Sequence, residues 1–398
     1  MGIIKIIGGI VAFIIVVGLG AMFMNNVILP QTAYTDMLPV HSGCTSVLSG
    51  ESPYTESATL RTQALVSTYD PSYDPADDAH RFVYPAHHCI ILLPLWIVPY
   101  DTGVPVWMFL NFILFAVAPL LFLIYITDYK VPPIQLILLI MISLFLWRYS
   151  MITVIFAQYT GWILACLMGA MWALKTQGNI LLALFIVGLT VRTGGAFFAI
   201  LILLYVLYER RYQTLLVFFG VMAALWVITL ILIGPWILDF LSGLFEYTTY
   251  REDVAQWLPF RLGVVAGLIY ASAMVITALT ILNPAWRHGR ETFIVWSLST
   301  IPLVELIILP QTNGYTLVYA LPAIFLVAYA LRNNRIVLYI VLIVIAAVPW
   351  IWSLWVTTFV EGNFDQLIMP AVVMGGIALA CHWGDVQVDG ASSAPEIA

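Results

Sequence analysis

The sequence predicts an all-α polytopic membrane protein, and three observations carry that expectation. Of 398 residues, 62% are hydrophobic and 9% are charged, against about 25% charged in a soluble domain. Mean hydropathy is +1.00. Apolar runs of about 20 residues recur along the whole chain, as helices that cross a bilayer require, and they lack the strict alternation of a membrane barrel.

Taken in order, the runs predict spans near 4–24, 104–127, 132–147, 159–174, 179–193, 195–208, 213–234, 262–282, 292–309, 315–331, 335–356 and 366–382. That makes twelve helices, or thirteen if 84–100 also crosses. The first run follows Lys5 and is longer than the roughly 7–15 apolar residues of a signal peptide, so an uncleaved anchor is expected. The stretch "YPAHHCIILLPLWIVPY" (84–100) is short and broken by prolines, and reads either as a re-entrant segment or as a span. The segments 132–147 and 179–193 are also short for a crossing, which is tolerable where helices surround a cavity. Residues 1–382 form one integral membrane domain, and the polar tail 383–398 is expected to be disordered on the cytoplasmic side.

Charges are few enough to orient the chain. With an inside amino terminus, Lys5, Lys130, Lys175, Arg210, Arg211, Arg287, Arg290, Arg332 and Arg335 share one side, in short loops. The positive-inside rule makes that side cytoplasmic, with the plasma membrane as the expected location. Most acids fall on the other side, in two extended outer loops near 25–83 and 235–261. The second contains "WILDFLSGLFEYTTYREDVAQWLPF", either an interfacial helix or a plain surface helix. The formal charge of −6 argues against nucleic-acid partners. Cys44, Cys89, Cys166 and Cys381 show no metal-ligand spacing. Cys44 and Cys89 both fall outside, where they could pair or remain two thiols. Neither a metal nor a cofactor is expected.

Among the outer residues, Asp36 stands a dozen positions past the first span. A carboxylate at the water–lipid boundary is partly desolvated and can serve as a base, although a solvated acid or a helix cap is the plainer reading. Arg192, in "LTVRTGG", carries a charge that costs about 2.5–3.5 kcal/mol at a helix centre. Its planar fork suits a phosphate; pairing with the intramembrane acid Glu305 is the alternative. Arg148 follows the "LFLW" run as an interfacial anchor or second phosphate ligand, and Arg251 and Arg261 flank the second outer loop. His87 and His88 are adjacent and point about 100° apart on a helix, so they make no metal site alone; one of them assisting an acceptor or a phosphate is the better reading.

The stretch "DMLPVHSGCTSVLSGESPY" resembles the loop that opens glycosyltransferase family 87 of the GT-C superfamily. In that family an Asp after the first span is followed by a helix and then Gly-x-x-Pro-Tyr, and here Asp36, Gly50, Pro53 and Tyr54 fall at those positions. Next comes an aromatic-x-Tyr-Pro-Pro stretch, matched at Phe82, Tyr84, Pro85 and Pro94 of "RFVYPAHHCIILLPL", with Ala86 replacing the second proline. A Gly-Gln pair becomes Ala157-Gln158 in "FAQYTGW". The family's deep basic residue resembles Arg192, where lysine is commoner. In "LPQTNGYTLVYALP", Pro310, Tyr315 and Pro322 fit a later outer turn whose usual histidine is absent. The tyrosine that commonly follows the Asp is missing too, with His41 nearby instead.

The resemblance implies a GT-C-like fold and a polyprenyl-phosphate sugar donor, as in mannosyltransferases of this kind, with a lipid or glycan acceptor. On that expectation Asp36 is the general base, and Arg192, Arg148, Arg251 and Arg261 hold the donor phosphate. His41, Tyr84, His87, His88, Gln158, Glu305 and Tyr315 line the substrate cavity, and transfer inverts the anomeric carbon. The rival readings are a transporter or flippase for a lipid-linked glycan, which would show repeated halves, and a non-catalytic membrane subunit with the same fold.

Overall fold

The computed structural model describes residues 14–29, 35–75, 80–250, 262–308, 314–353 and 365–388, and among these it contains helices and no strand. The chain starts with α1 (Ile14–Ile28) and continues through a run of shorter elements: α2 (Met37–Leu48), α3 (Glu56–Tyr69), α4 (His87–Ile91) and α5 (Leu93–Trp96). Next come α6 (Tyr100–Ile126), α7 (Pro133–Leu146), α8 (Arg148–Ile155), α9 (Thr160–Lys175), α10 (Asn179–Leu189), α11 (Thr193–Tyr208) and α12 (Tyr212–Ile233). After α13 (Ile237–Tyr250) follow α14 (Val264–Arg287), α15 (Arg290–Ile308), a 3-10 turn (Gly314–Ala320), α16 (Leu321–Ala330), α17 (Arg335–Ile351) and α18 (Asp365–Trp383).

Among the described residues, four helices are long and apolar enough to cross a membrane: α6, α12, α14 and α15. A fifth crossing results if α7 and α8, bent 54° apart at Trp147, count as one broken span. The other apolar helices have 10–17 described residues; those bounded on both sides by described residues, such as α9, α10 and α11, are at 1.5 Å per residue shorter than a hydrocarbon core of about 30 Å. Among the described residues, length and composition alone thus support four or five crossings; the expected twelve are not shown, and α1, α15 and α18 each end against residues outside the described ones. Burial separates two kinds of helix. The most apolar window of α15 is 72% buried inside the protein and that of α12 only 17%, so α15 belongs to the core and α12 turns most of its surface outward.

Several expectations are corrected or resolved. The stretch 84–100 does not cross: α4 and α5 have five and four residues, about 8 and 6 Å of helix. Instead α4 is tied to α2 by a disulfide between Cys44 and Cys89. On α13, Leu238, Leu241 and Phe245 form an exposed apolar row, flanked on one side by the exposed acids Asp239 and Glu246. That is the pattern of a helix lying in the interface. Trp236, just before it, is buried against the rings of Tyr54 and His87.

The basic loops meet on one face. Lys175 pairs with Asp128, Arg290 donates to Glu209 at 2.7 Å and to the Leu174 carbonyl at 3.4 Å, and Arg211 donates to Asn179 at 2.9 Å. The tail expected to be disordered from 383 onward is docked on this same face over 384–388. Trp296 Nε1 donates to the Val386 carbonyl at 3.0 Å, and Tyr329 donates to the Gln387 carbonyl at 2.9 Å. Arg332 pairs with Asp385 at 2.8 Å, and Val388 is fully buried. The remaining tail residues, 389–398, lie outside the described residues. Gly384 allows the approach, since a Cβ there would lie 2.4 Å from the Ala380 carbonyl oxygen and 2.5 Å from that of Ala330. Gly384→Ala is therefore expected to cost about 1–3 kcal/mol and to expose the segment after Trp383 to added protease. An unchanged thermal midpoint with full protection would contradict the docking.

Candidate active site

Opposite the basic face, five chain segments converge. Asp36 is placed by its neighbours: Thr35 is buried, with its amide 3.1 Å and its hydroxyl 2.9 Å from the Tyr100 hydroxyl at the start of α6. Met37 and Leu38 are buried on the other side. Asp36 itself is exposed and its side chain makes no capping bond to α2, although it precedes the first helical residue. Its carboxylate instead accepts a hydrogen bond from the Gln158 side-chain amide.

Gln158 is buried, and each of its polar groups is engaged. Its backbone N–H donates to Thr153 O at 2.9 Å. Its backbone carbonyl accepts from Asn111 Nδ2 at 3.1 Å and Trp107 Nε1 at 3.3 Å, both on α6. Its side-chain oxygen accepts from Arg192 Nη1 at 3.2 Å. Donor and acceptor requirements fix the amide this way round, since the NH2 group cannot face a guanidinium. The turn that presents it has Ala157 at φ +51°, a left-handed conformation costing a non-glycine residue about 1–2 kcal/mol. Glycine would adopt that turn freely.

Arg192 lies between α10 and α11 in extended backbone. Its Nη2 donates to the Tyr315 hydroxyl at 3.1 Å, and its guanidinium carbon sits 4.9 Å from the centre of the Tyr315 ring. The bent pair α7–α8 braces the 3-10 turn that carries Tyr315, through Trp147 Nε1 bonded to the Leu317 carbonyl at 3.1 Å. Counted from the basic face, the eleven residues of α10 raise Arg192 by about 16 Å, roughly half a hydrocarbon core. Arg192, Tyr84 and Tyr315 remain half-buried and Asp36 exposed, so the group lines a recess rather than a sealed core.

The remaining expected site residues are distributed around this chain of bonds. His41, on α2, has Nε2 3.0 Å from the Val98 carbonyl and lies edge-on to Trp96 and Tyr100. The Tyr84 carbonyl accepts from Tyr54 at 2.7 Å. That bond gives Gly-x-x-Pro-Tyr a structural role, in which Gly50, at φ +83°, turns the chain out of α2 and Tyr54 holds the Tyr-Pro stretch. His87 Nε2 meets Thr190 Oγ1 at 3.1 Å. His88 is fully buried among Tyr84, Trp96 and Tyr159, with Nδ1 3.8 Å from Cys44 Sγ. Arg148 is half-buried at the start of α8, and Glu305 is buried on α15. Arg251, Arg261 and Pro310 lie outside the described residues. Sequence reasoning missed Asn111, Trp107, Thr35 and Tyr100. Asn111 had a signal, as a lone amide within the apolar run "WMFLNFILF".

The packing makes the turn and the histidines testable. Ala157→Gly should leave stability within about 1 kcal/mol, whereas a β-branched residue at positive φ is strongly disfavoured. Ala157→Val should therefore lower the thermal midpoint sharply, and equal midpoints for the two variants would contradict the turn. Burial holds His87 down to about 4 and His88 to about 3, from an ordinary 6.5. Both are neutral in the fold, so between pH 6.5 and 4 the unfolded chain takes up protons that the native state refuses. Stability should fall as pH falls through that window, on the order of 3 kcal/mol for His87 by pH 4. His87→Gln should flatten the decline; a decline parallel to that of the unaltered protein would refute the assignment.

Against known proteins, no family model, no curated protein and no solved structure matches this chain.

Proposed function

We propose that this protein is an integral membrane glycosyltransferase that takes a sugar from a polyprenyl-phosphate donor and places it on an acceptor hydroxyl. The observation that carries the reading is the bonded chain Asp36–Gln158–Arg192–Tyr315. It places an exposed carboxylate and a recessed guanidinium in one site, held apart by a neutral amide. A proton-accepting group and a phosphate-binding group at fixed separation are what transfer from a phosphate-linked donor requires.

In the proposed reaction the acceptor hydroxyl gives its proton to the Asp36 carboxylate, and its oxygen attacks the anomeric carbon. The bond from that carbon to the phosphate oxygen breaks, and the electron pair leaves with the polyprenyl phosphate. Arg192 stabilises the departing charge through its remaining N–H groups, with charge-assisted bonds of the stronger kind. One displacement inverts the anomeric carbon. Deep placement suits a donor whose tail stays in lipid.

The proposed setting is a multi-pass protein of the plasma membrane, with twelve crossings and the site on the extracytoplasmic side. Two independent features support that orientation. The basic loops share the opposite face, as the positive-inside rule expects of a cytoplasmic side. The disulfide between Cys44 and Cys89 fits an oxidising compartment.

The test is a purified sample supplied with polyprenyl-phosphate sugars and acceptor lipids. Asp36→Asn keeps the shape of the side chain but takes no proton, and should lose about 10²–10⁴ in rate while still binding donor. Arg192→Ala should weaken donor binding instead. Asp70→Asn, on the exposed loop after α3, should behave as the unaltered protein. Wild-type turnover in Asp36→Asn would refute the base assignment. A cysteine placed at Ser72 should react with an impermeant reagent on intact cells and one at Asn334 should not; the reverse pattern would invert the topology.

A further inference from the structure

Two residues beyond Arg192, the recess has a wall that the transfer chemistry does not use. Gly194 is half-buried and its neighbour Thr193 exposed. A Cβ on Gly194 would stand 3.4 Å from Glu305 Oε1 and 4.0 Å from Tyr319 Cε2. The missing side chain thus lets the half-buried Gly194 backbone come close to a carboxyl group and a phenol ring, two residues along the chain from Arg192.

Both facing residues have unmet hydrogen-bonding capacity. Glu305 is 4% exposed, and its Oε2 has no partner; Tyr319 is 1% exposed, and its hydroxyl has none. A buried polar atom without a partner costs about 1–3 kcal/mol, and native interiors leave few of them.

The chemistry of that wall selects among the parts of a lipid-linked sugar. A phosphate brings acceptor oxygens and negative charge, which suit the guanidinium and not a carboxyl group. A prenyl tail brings no polar atom at all. A sugar ring brings hydroxyls that donate and accept at once, which is what an acceptor-rich carboxyl and an unpaired phenol need. The geometry points to a hydroxyl-binding subsite formed by Gly194, Glu305 and Tyr319, which holds the uncharged sugar ring while Arg192 holds its phosphate. This rests on the transferase reading above. It separates the work of the two carboxyl groups, with Asp36 moving the proton and Glu305 positioning the ring. Gly194 is then fixed by the ligand, because any side chain would occupy the ring's place.

The test is equilibrium binding of two probes to the purified full-length protein in nanodiscs: a short-chain prenyl phosphate, and the same prenyl phosphate carrying a hexose. The unaltered protein should bind the hexosyl probe about tenfold tighter, the gain expected from one or two recovered hydrogen bonds. In Gly194→Ala the added methyl makes only ordinary contacts at 3.4 Å, so the variant should fold. It should bind both probes equally, at the prenyl phosphate affinity. Glu305→Leu should do the same, and Arg192→Ala should weaken both probes. A hexose preference that survives in Gly194→Ala, or is missing from the unaltered protein while Arg192-dependent binding persists, overturns the subsite alone. Failure of the unaltered protein to bind either probe overturns the transferase reading and the subsite with it.

Discussion

The site depends on a neutral amide held between two charges. In a medium of low dielectric, Asp36 and Arg192 placed in direct contact would form a tight ion pair, and each would spend its charge on the other. Gln158 prevents that while fixing both. Its NH2 group donates to the carboxylate and its carbonyl accepts from the guanidinium, so a carboxylate and a cation stand at set positions without neutralising each other. The surroundings serve this one side chain. Asn111 and Trp107 hold its carbonyl, Thr153 holds its amide, and Ala157 adopts a left-handed backbone to aim it.

Helix geometry explains how such a group stays inside an apolar bundle. Isolated polar backbone is costly in lipid, so chain breaks at membrane depth occur where they line a cavity. The breaks in this chain follow that rule. The bend between α7 and α8 releases Trp147 to brace the turn carrying Tyr315, and the end of α10 releases Arg192. On the side of Asp36, the disulfide fastens α2, which starts beside that residue, to the short helix bearing His87 and His88. On the opposite face, the docked residues 384–388 join the ends of α15 and α16. Those same two helices, at their other ends, carry Glu305 and adjoin the turn with Tyr315 and Tyr319.

Much of this is legible in the sequence because polar residues in an apolar chain are conspicuous. Asp36, Gln158, Arg192 and Tyr315 can each be singled out, and the structure brings them into one bonded chain. Their partners are less visible. Trp107 and Tyr100 look like ordinary interface aromatics, and nothing local marks them as hydrogen-bond donors to distant backbone and side chains. The stretch 84–100 is ambiguous for a physical reason: apolar content argues for a span, while Pro85, Pro94 and Pro99 limit helix length, and the prolines win. The tail reads as disordered because "GDVQVDG" is polar and short; its docking rests on backbone carbonyls and on Gly384, which composition does not register.

The most direct measurement of the central claim is a cryo-EM reconstruction of the full-length protein with a non-transferable analogue of a polyprenyl-phosphate sugar. The account expects the phosphate within hydrogen-bond reach of Arg192 and the anomeric carbon on the side of Asp36, with Gln158 still bridging the two residues. Phosphate density remote from Arg192, or a direct ion pair between Asp36 and Arg192 in place of the amide bridge, would contradict it.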